Sequence, residues 1–291
     1  MKVLLTGADG QLGRAIIGAR PPDVHLVECD RAALDVTDAV RVRRVIEEVR
    51  PDWIFHCAAY TQVDEAERHP ELAFSVNAEG TASVAWAAKA VGARVIYVST
   101  DYVFSGDSAR PWRPSDEPFP LSQYGKSKLA GEYAAHEILG EDLAIVRTSW
   151  LYAPWGRNFV RTILDRLRSG RAVEVVDDQR GSPTSALELA NALWEFMRRG
   201  GRGVSHWTNL GDASWYEFAL ELSRQAVEVR LLDGHPVVSA CSTDPISRPA
   251  PRPRYSVLDC EQSYCVLGYR ASEWQRGLQG VLKRMVRDDD N

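Results

Sequence analysis

The sequence predicts an α/β protein built on a doubly wound parallel sheet with a smaller C-terminal lobe. Three observations carry this expectation. Short apolar runs alternate with helical patterns, a glycine-rich turn joins the first run to the first helix, and the regular alternation stops after Trp150. Strands buried on both faces and joined by crossover helices produce that pattern.

The elements follow in chain order. Residues 3–6 form a continuous apolar run, expected as a buried strand, and 12–19 carry Leu12, Ala15 and Ile16 at helical spacing. Residues 24–29 read as a second strand, 40–49 as a helix and 53–57 as a third strand. An alanine-rich helix over 79–91 leads into a strand over 94–99. The next helix starts near Tyr124 and runs to about residue 139, and 144–148 is again strand-like. Residues 1–150 are therefore expected to form a dinucleotide-binding domain. Residues 151–291 are expected to be mainly a substrate-binding lobe interleaved with it, with helices at Phe159–Arg168, 186–199, 215–224 and 274–286. Proline-rich loops are expected at Pro183 and over 245–253, and a frayed acidic tail over 288–290.

Composition narrows the function classes. The chain is 45% hydrophobic and 26% charged, as in ordinary globular proteins. A net charge of −5 offers no footprint for nucleic acid. The N-terminal apolar run is too short for a secretory signal, and no run approaches the ~20 apolar residues that cross a bilayer. Five cysteines, odd in number and without CxxC spacing, are expected as reduced thiols in a cytoplasmic protein. The six histidines show neither metal nor triad spacing, and no metal site is expected.

Gly7-Ala8-Asp9-Gly10-Gln11-Leu12-Gly13 follows a strand and opens a helix. In such a turn the first glycine permits the bend, the second admits a pyrophosphate, and the third allows close helix packing. The helix N-terminus then faces the phosphates. The spacing is G-x-x-G-x-x-G, one residue longer in its first gap than the usual fingerprint. Asp30 ends the second strand at the distance where an acid accepts from an adenine-ribose diol and repels a 2′-phosphate; Arg31 beside it could do the reverse. NADH, or either of NADH and NADPH, is the expected cofactor.

The second constellation is Tyr124-Gly125-Lys126-Ser127-Lys128, in which Tyr124 and Lys128 share one helical face. A nearby ammonium is expected to lower the phenol's pKa. Thr100 stands at a strand end, where parallel sheets place ligands. Together they form a donor trio for a carbonyl oxygen: Tyr124 gives the proton, Lys128 tunes it and holds the nicotinamide ribose, and Thr100 orients the carbonyl.

With these residues in view, the chain resembles the extended short-chain dehydrogenase/reductases, and within them the dTDP-4-dehydrorhamnose reductase family. The matching stretches run almost end to end and include AAYTQVD at 58–64, STDYVF at 99–104, YGKSKL with AGE at 124–132, RTSWLY at 147–152 and DQRGSPT at 178–184. The resemblance implies that Gly10, Gln11, Leu12, Asp30, Asp35, Val36, Ala59, Tyr60, Thr61, Val98, Tyr124 and Lys128 contact the nicotinamide cofactor, alongside Gly7 and Gly13 of the turn. It implies that Thr100, Asp101 and Trp150 contact a sugar nucleotide. The activity implied is reduction of the C4 ketone of a dTDP-4-keto-6-deoxysugar, dTDP-4-dehydro-L-rhamnose foremost, with a homodimer left open.

Two departures stand out. Tyr255 replaces the asparagine of the family's R-P-x-N-S-x-L stretch, and Ala15 occupies a position that is acidic in members with a metal-bridged dimer. Two other readings remain at this stage. One is a different sugar-nucleotide reductase, epimerase or dehydratase of the same fold, although Tyr102 stands where a dehydratase needs an acid. The other is a non-catalytic subunit resembling the regulator of methionine adenosyltransferase.

Overall fold

In the computed structural model, which describes residues 1–234, 236–244 and 249–289, six strands form one parallel sheet. They are β1 (Lys2–Thr6), β2 (His25–Cys29), β3 (Trp53–His56), β4 (Arg94–Thr100), β5 (Leu143–Thr148) and the edge strand Gly203–His206. Their spatial order is edge strand, β5, β4, β3, β1, β2. Every residue of β3 and β5 is buried, which is why these segments read as mainly apolar runs.

Helices cover both faces. On one face, α1 (Gln11–Gly18) and the helix Ala186–Arg198 enclose a core containing Ile16, Phe55, Leu193 and Trp194. Trp194 fastens that layer, with its ring edge-on to Phe55 and its Nε1 donating to Ile16 O at 3.1 Å. On the other face, α2 (Ala39–Val49) and the helices Gly80–Val91 and Gln123–Leu139 bury Ile46, Val84, Ala88 and Ile138 against Ile54 and Ile145.

A third apolar core belongs to the later chain. Helices Phe159–Arg168, Trp215–Glu228 and Trp274–Asp289 pack Leu164, Phe218, Leu222, Leu278 and Leu282 together. A parallel pair, Val173–Val176 with Val238–Cys241, flanks them. Ser214 and Glu217 form a reciprocal capping box that starts the middle helix.

Several elements escape sequence reading. The edge strand Gly203–His206 has weak intrinsic β character and is defined by its pairing with β5. Short helices Val63–Arg68, Pro70–Phe74 and Glu261–Leu267 fall below the length at which periodicity is legible. The expected acidic tail is partly corrected: Asp288 lies in the last helix, paired with Arg284 at 3.0 Å, and residue 290 is outside the described residues. Of the proline-rich stretch, residues 245–248 also lie outside them. Among the described residues, no helix is long and apolar enough to cross a membrane.

Candidate active site

β1 pairs with β2 on one side and β3 on the other, so the strand order reverses at β1. Such a reversal opens a crevice at the carboxyl ends of the strands. A cavity of about 720 Å³ lies there, lined by the glycine-rich turn and by the ends of β3 and β4.

The three glycines answer three different constraints. Gly7 has φ +69°, and a Cβ on it would stand 2.8 Å from Ala58 N. A Cβ on Gly13 would fall 2.2 Å from Gly7 O, so no side chain fits between turn and helix. Gly10 would meet only Gly7 O, at 3.2 Å, and it borders the cavity. That open space over a helix start suits a pyrophosphate.

Of the candidate residues, Gly7, Gly10, Gln11, Leu12, Gly13, Asp35, Val36, Ala59, Tyr60, Thr61, Val98, Thr100, Asp101, Tyr124, Lys128 and Trp150 all line this one cavity. Asp30 does not. Its Oδ1 accepts from Ala33 N at 2.7 Å, holding the turn after β2. Arg31 takes the lining position instead, with Nε 3.5 Å from Asp35 Oδ2. Asp35 is itself held below the usual carboxylate range, chiefly by the Thr37 hydroxyl at 2.7 Å.

The turn that carries Tyr124 is built by close packing. Ser122 caps the helix Gln123–Leu139 by accepting from Gly125 N at 3.1 Å. A Cβ on Gly125 would fall 2.2 Å from Tyr102 O, so glycine there lets the helix start approach the end of β4. Tyr124 is thereby buried beside Thr100, edge-on to Tyr102 at 5.6 Å. Thr100 Oγ1 donates to Asp101 Oδ1 at 3.0 Å.

The expected lowering of the Tyr124 phenol by Lys128 is not found. Burial raises the phenol well above its ordinary value; the Thr100 hydroxyl opposes the rise, and Asp101 and Tyr102 add to it. Lys128 Nζ donates instead to Val98 O at 2.8 Å and lies 4.0 Å over the Tyr97 ring. Burial pulls that ammonium down to about 7, with Glu132 and Cys57 opposing. At neutral pH the phenol keeps its proton, the state a proton donor needs.

The helix is tied to the sheet behind the site by a buried ion pair. Arg147, on β5, grips Glu132 with Nε at 3.0 and 3.2 Å and Nη2 at 2.6 Å, and both side chains are almost fully buried. Removing one partner of such a pair costs about 3–5 kcal/mol because the other charge stays buried. The pair gives the AGE and RTSW stretches a shared structural reason.

The later chain closes the cavity. Trp150 has φ +46° and lies flat against Trp215, which also lines the cavity. A Cβ on Gly181 would press to 2.5 Å from the Trp150 ring, so the DQRGSPT stretch backs the indole. Residues 155–158 reach over the glycine-rich turn: Trp155 Nε1 donates to Gln11 O at 3.0 Å, and Asn158 Nδ2 to Gln11 Oε1 at 2.8 Å. Arg157, Asn158, Phe159 and Trp215 line the cavity and were missed in the sequence. Each reaches it through tertiary packing, and no local spacing marks them.

Fold and cavity together define a class, the nicotinamide-dependent reductases of the extended short-chain type. The chain belongs to the family whose model is described as RmlD substrate binding domain, which matches residues 1–287. It is 34% identical to the dTDP-4-dehydrorhamnose reductase of Escherichia coli, with 98% of each chain covered. It is 39% identical to the dTDP-4-keto-6-deoxy-D-glucose reductase of Streptomyces niveus, covering 88% of this chain and 87% of that one. The dTDP-4-dehydrorhamnose reductase of Bacillus anthracis, solved in complex with NADP, superposes with a TM-score of 0.90 at 36% identity, covering 97% of this chain and 99% of that one.

Proposed function

We propose that this chain reduces the C4 ketone of a dTDP-linked 4-keto-6-deoxysugar, converting dTDP-4-dehydro-L-rhamnose to dTDP-L-rhamnose with NADH or NADPH. The observation that carries the reading is that Thr100, Tyr124 and Lys128 share one cavity with both the glycine-rich turn and the Trp150 indole. A regulatory subunit has no need of that assembly, and the named relatives are reductases.

The glycine-rich turn, the Ala59–Thr61 backbone and Lys128 would hold the dinucleotide. When bound, its reduced nicotinamide supplies the hydride. Tyr124 donates its proton to the ketone oxygen, and the Thr100 hydroxyl beside it can turn its proton from Asp101 Oδ1 to the resulting phenolate. Asp101 accepts from sugar hydroxyls, and the edge of the Trp150–Trp215 stack on the cavity wall gives apolar surface to a ring that lacks its 6-hydroxyl. In this reading residues 1–150 serve the dinucleotide and residues 151–291 mainly the sugar nucleotide, while lending the edge strand and the helix Ala186–Arg198 to the first unit.

The test is NAD(P)H oxidation, followed by absorbance, with a panel of nucleotide-linked 4-ketosugars including dTDP-4-dehydro-L-rhamnose and dTDP-4-keto-6-deoxy-D-glucose. The expected result is turnover of dTDP-linked 4-keto-6-deoxysugars, fastest with the rhamnose precursor. A purified chain that binds NAD(P)H yet oxidises it with none of them overturns the reading.

A further inference from the structure

Gln11, the first residue of α1, is tied to a segment far along the chain. Its Nε2 donates to Arg157 O at 3.4 Å and its Oε1 accepts from Asn158 Nδ2 at 2.8 Å, so one amide holds two successive residues. Gln11 O in turn accepts from Trp155 Nε1 at 3.0 Å. Gly156 has φ +72°, and a Cβ on it would stand 3.0 Å from Gln11 Cγ, so glycine lets this segment lie close over the helix start.

Further contacts fix the segment as a strap. Arg14 lies 4.6 Å over the Trp155 ring, and Arg161 Nη1 donates to Pro154 O at 2.8 Å. Asn158 Nδ2 also donates to Ala153 O at 3.0 Å, while its Oδ1 caps the helix Phe159–Arg168 by accepting from Arg161 N at 3.1 Å. The register of residues 153–158 against the glycine-rich turn is therefore set.

Arg157 is the cation that the strap carries to the cavity. It is exposed, lines the wall, and takes no carboxylate partner among the described residues. The other two cations on that wall are engaged, Lys128 with Val98 O and Arg31 with Asp35 at 3.5 Å. A guanidinium presents a planar fork of donors that matches paired phosphate oxygens. The start of α1 offers backbone N–H groups to the same kind of anion.

We infer that Arg157 is a diphosphate-binding residue, held over the glycine-rich turn by the strap 153–158. The inference rests on the ketoreductase reading of the cavity, under which a dinucleotide and a sugar nucleotide, each with a diphosphate, meet there.

Titration calorimetry of Arg157→Ala and Arg157→Lys with two probes tests it. ADP-ribose presents the dinucleotide's diphosphate without the nicotinamide, and dTDP presents that of the sugar nucleotide. The side chain is exposed and only the backbone oxygen of Arg157 serves the strap, so both variants should keep the unmodified melting temperature. Arg157→Ala is expected to raise the dissociation constant of at least one probe about tenfold, the loss of a charge-assisted contact. Arg157→Lys should recover part of that loss, because an ammonium keeps the charge without the fork. Affinity for the same probe should fall less steeply with added salt in Arg157→Ala than in the unmodified chain. A loss confined to ADP-ribose assigns the contact to the dinucleotide, and one confined to dTDP assigns it to the sugar nucleotide.

An Arg157→Ala variant that binds both probes as the unmodified chain does overturns the inference. So does a loss of affinity with unchanged salt dependence, which a merely structural role would give. An unmodified chain that binds neither probe nor NAD(P)H sinks the functional reading and the inference with it, whereas normal binding with an unaffected variant sinks only the role of Arg157.

Discussion

Trp150 and Trp215 stack face to face, with ring centroids 3.5 Å apart and planes 4° from parallel. The stack holds Trp150 in a left-handed backbone conformation that costs an ordinary residue about 1–2 kcal/mol. A strained residue kept in place by an aromatic partner, with both rings on the cavity wall, points to a binding surface whose shape matters.

Trp150→Ala is therefore expected to raise KM for the sugar nucleotide about tenfold, which corresponds to roughly 1.4 kcal/mol of lost contact. NAD(P)H affinity should barely change, because the glycine-rich turn is intact. Trp215→Ala should move KM the same way by freeing the Trp150 ring. Equal losses of cofactor and sugar-nucleotide affinity in steady-state and titration data would refute the assignment.

Tyr124→Phe should lower kcat about a hundredfold or more with an unchanged fold, the usual contribution of a general acid. The packing around the ring is apolar enough to accept phenylalanine, since Tyr124 lies with Ala66 and Ala73. Near-normal turnover in a single-turnover experiment would leave the proton donor elsewhere.

Arg31, and not Asp30, lines the cavity beside Asp35. Arg31→Ala should weaken NADPH about tenfold more than NADH, because a guanidinium beside the adenine ribose favours a 2′-phosphate. Asp30→Ala should weaken both cofactors alike, through loss of its bond to Ala33 N. Selective loss of NADH binding in Asp30→Ala would show the carboxylate turning to the ribose after all.

Asp101 is a buried carboxyl pushed up to about 6 by burial, with the Ser256 and Thr100 hydroxyls pulling the other way. Its folded pKa lies above its unfolded value of 3.8, so its contribution to stability is full below pH 3.8 and is lost as pH rises through 6. Above pH 6 the ionised group destabilises the fold by about 2–3 kcal/mol. Asp101→Asn should raise the melting temperature at pH 7.5, and the gain should vanish toward pH 4. A melting difference that is flat across that range would contradict the prediction.

Long, strongly patterned elements are legible in the chain alone. The strands β1 to β5 and the longer helices between them agree with their expected positions to within a residue or two, because buried parallel strands and amphipathic helices carry their period in the chain. The glycine-rich turn was legible for a similar reason, since each glycine meets a local steric constraint. Tyr124 and Lys128 were visible as a helical pair.

What the pair does to itself was not legible. Spacing predicted that Lys128 would lower the Tyr124 phenol, yet the ammonium is turned to Val98 O and the Tyr97 ring while burial raises the phenol. Desolvation depends on everything packed around a group, which no four-residue spacing encodes. The same reason hides Trp215 and Asn158, whose partners lie far along the chain. It also explains Asp30 and Arg31: the sequence alone placed both at the end of β2, and only the turn geometry decided which of them borders the cavity.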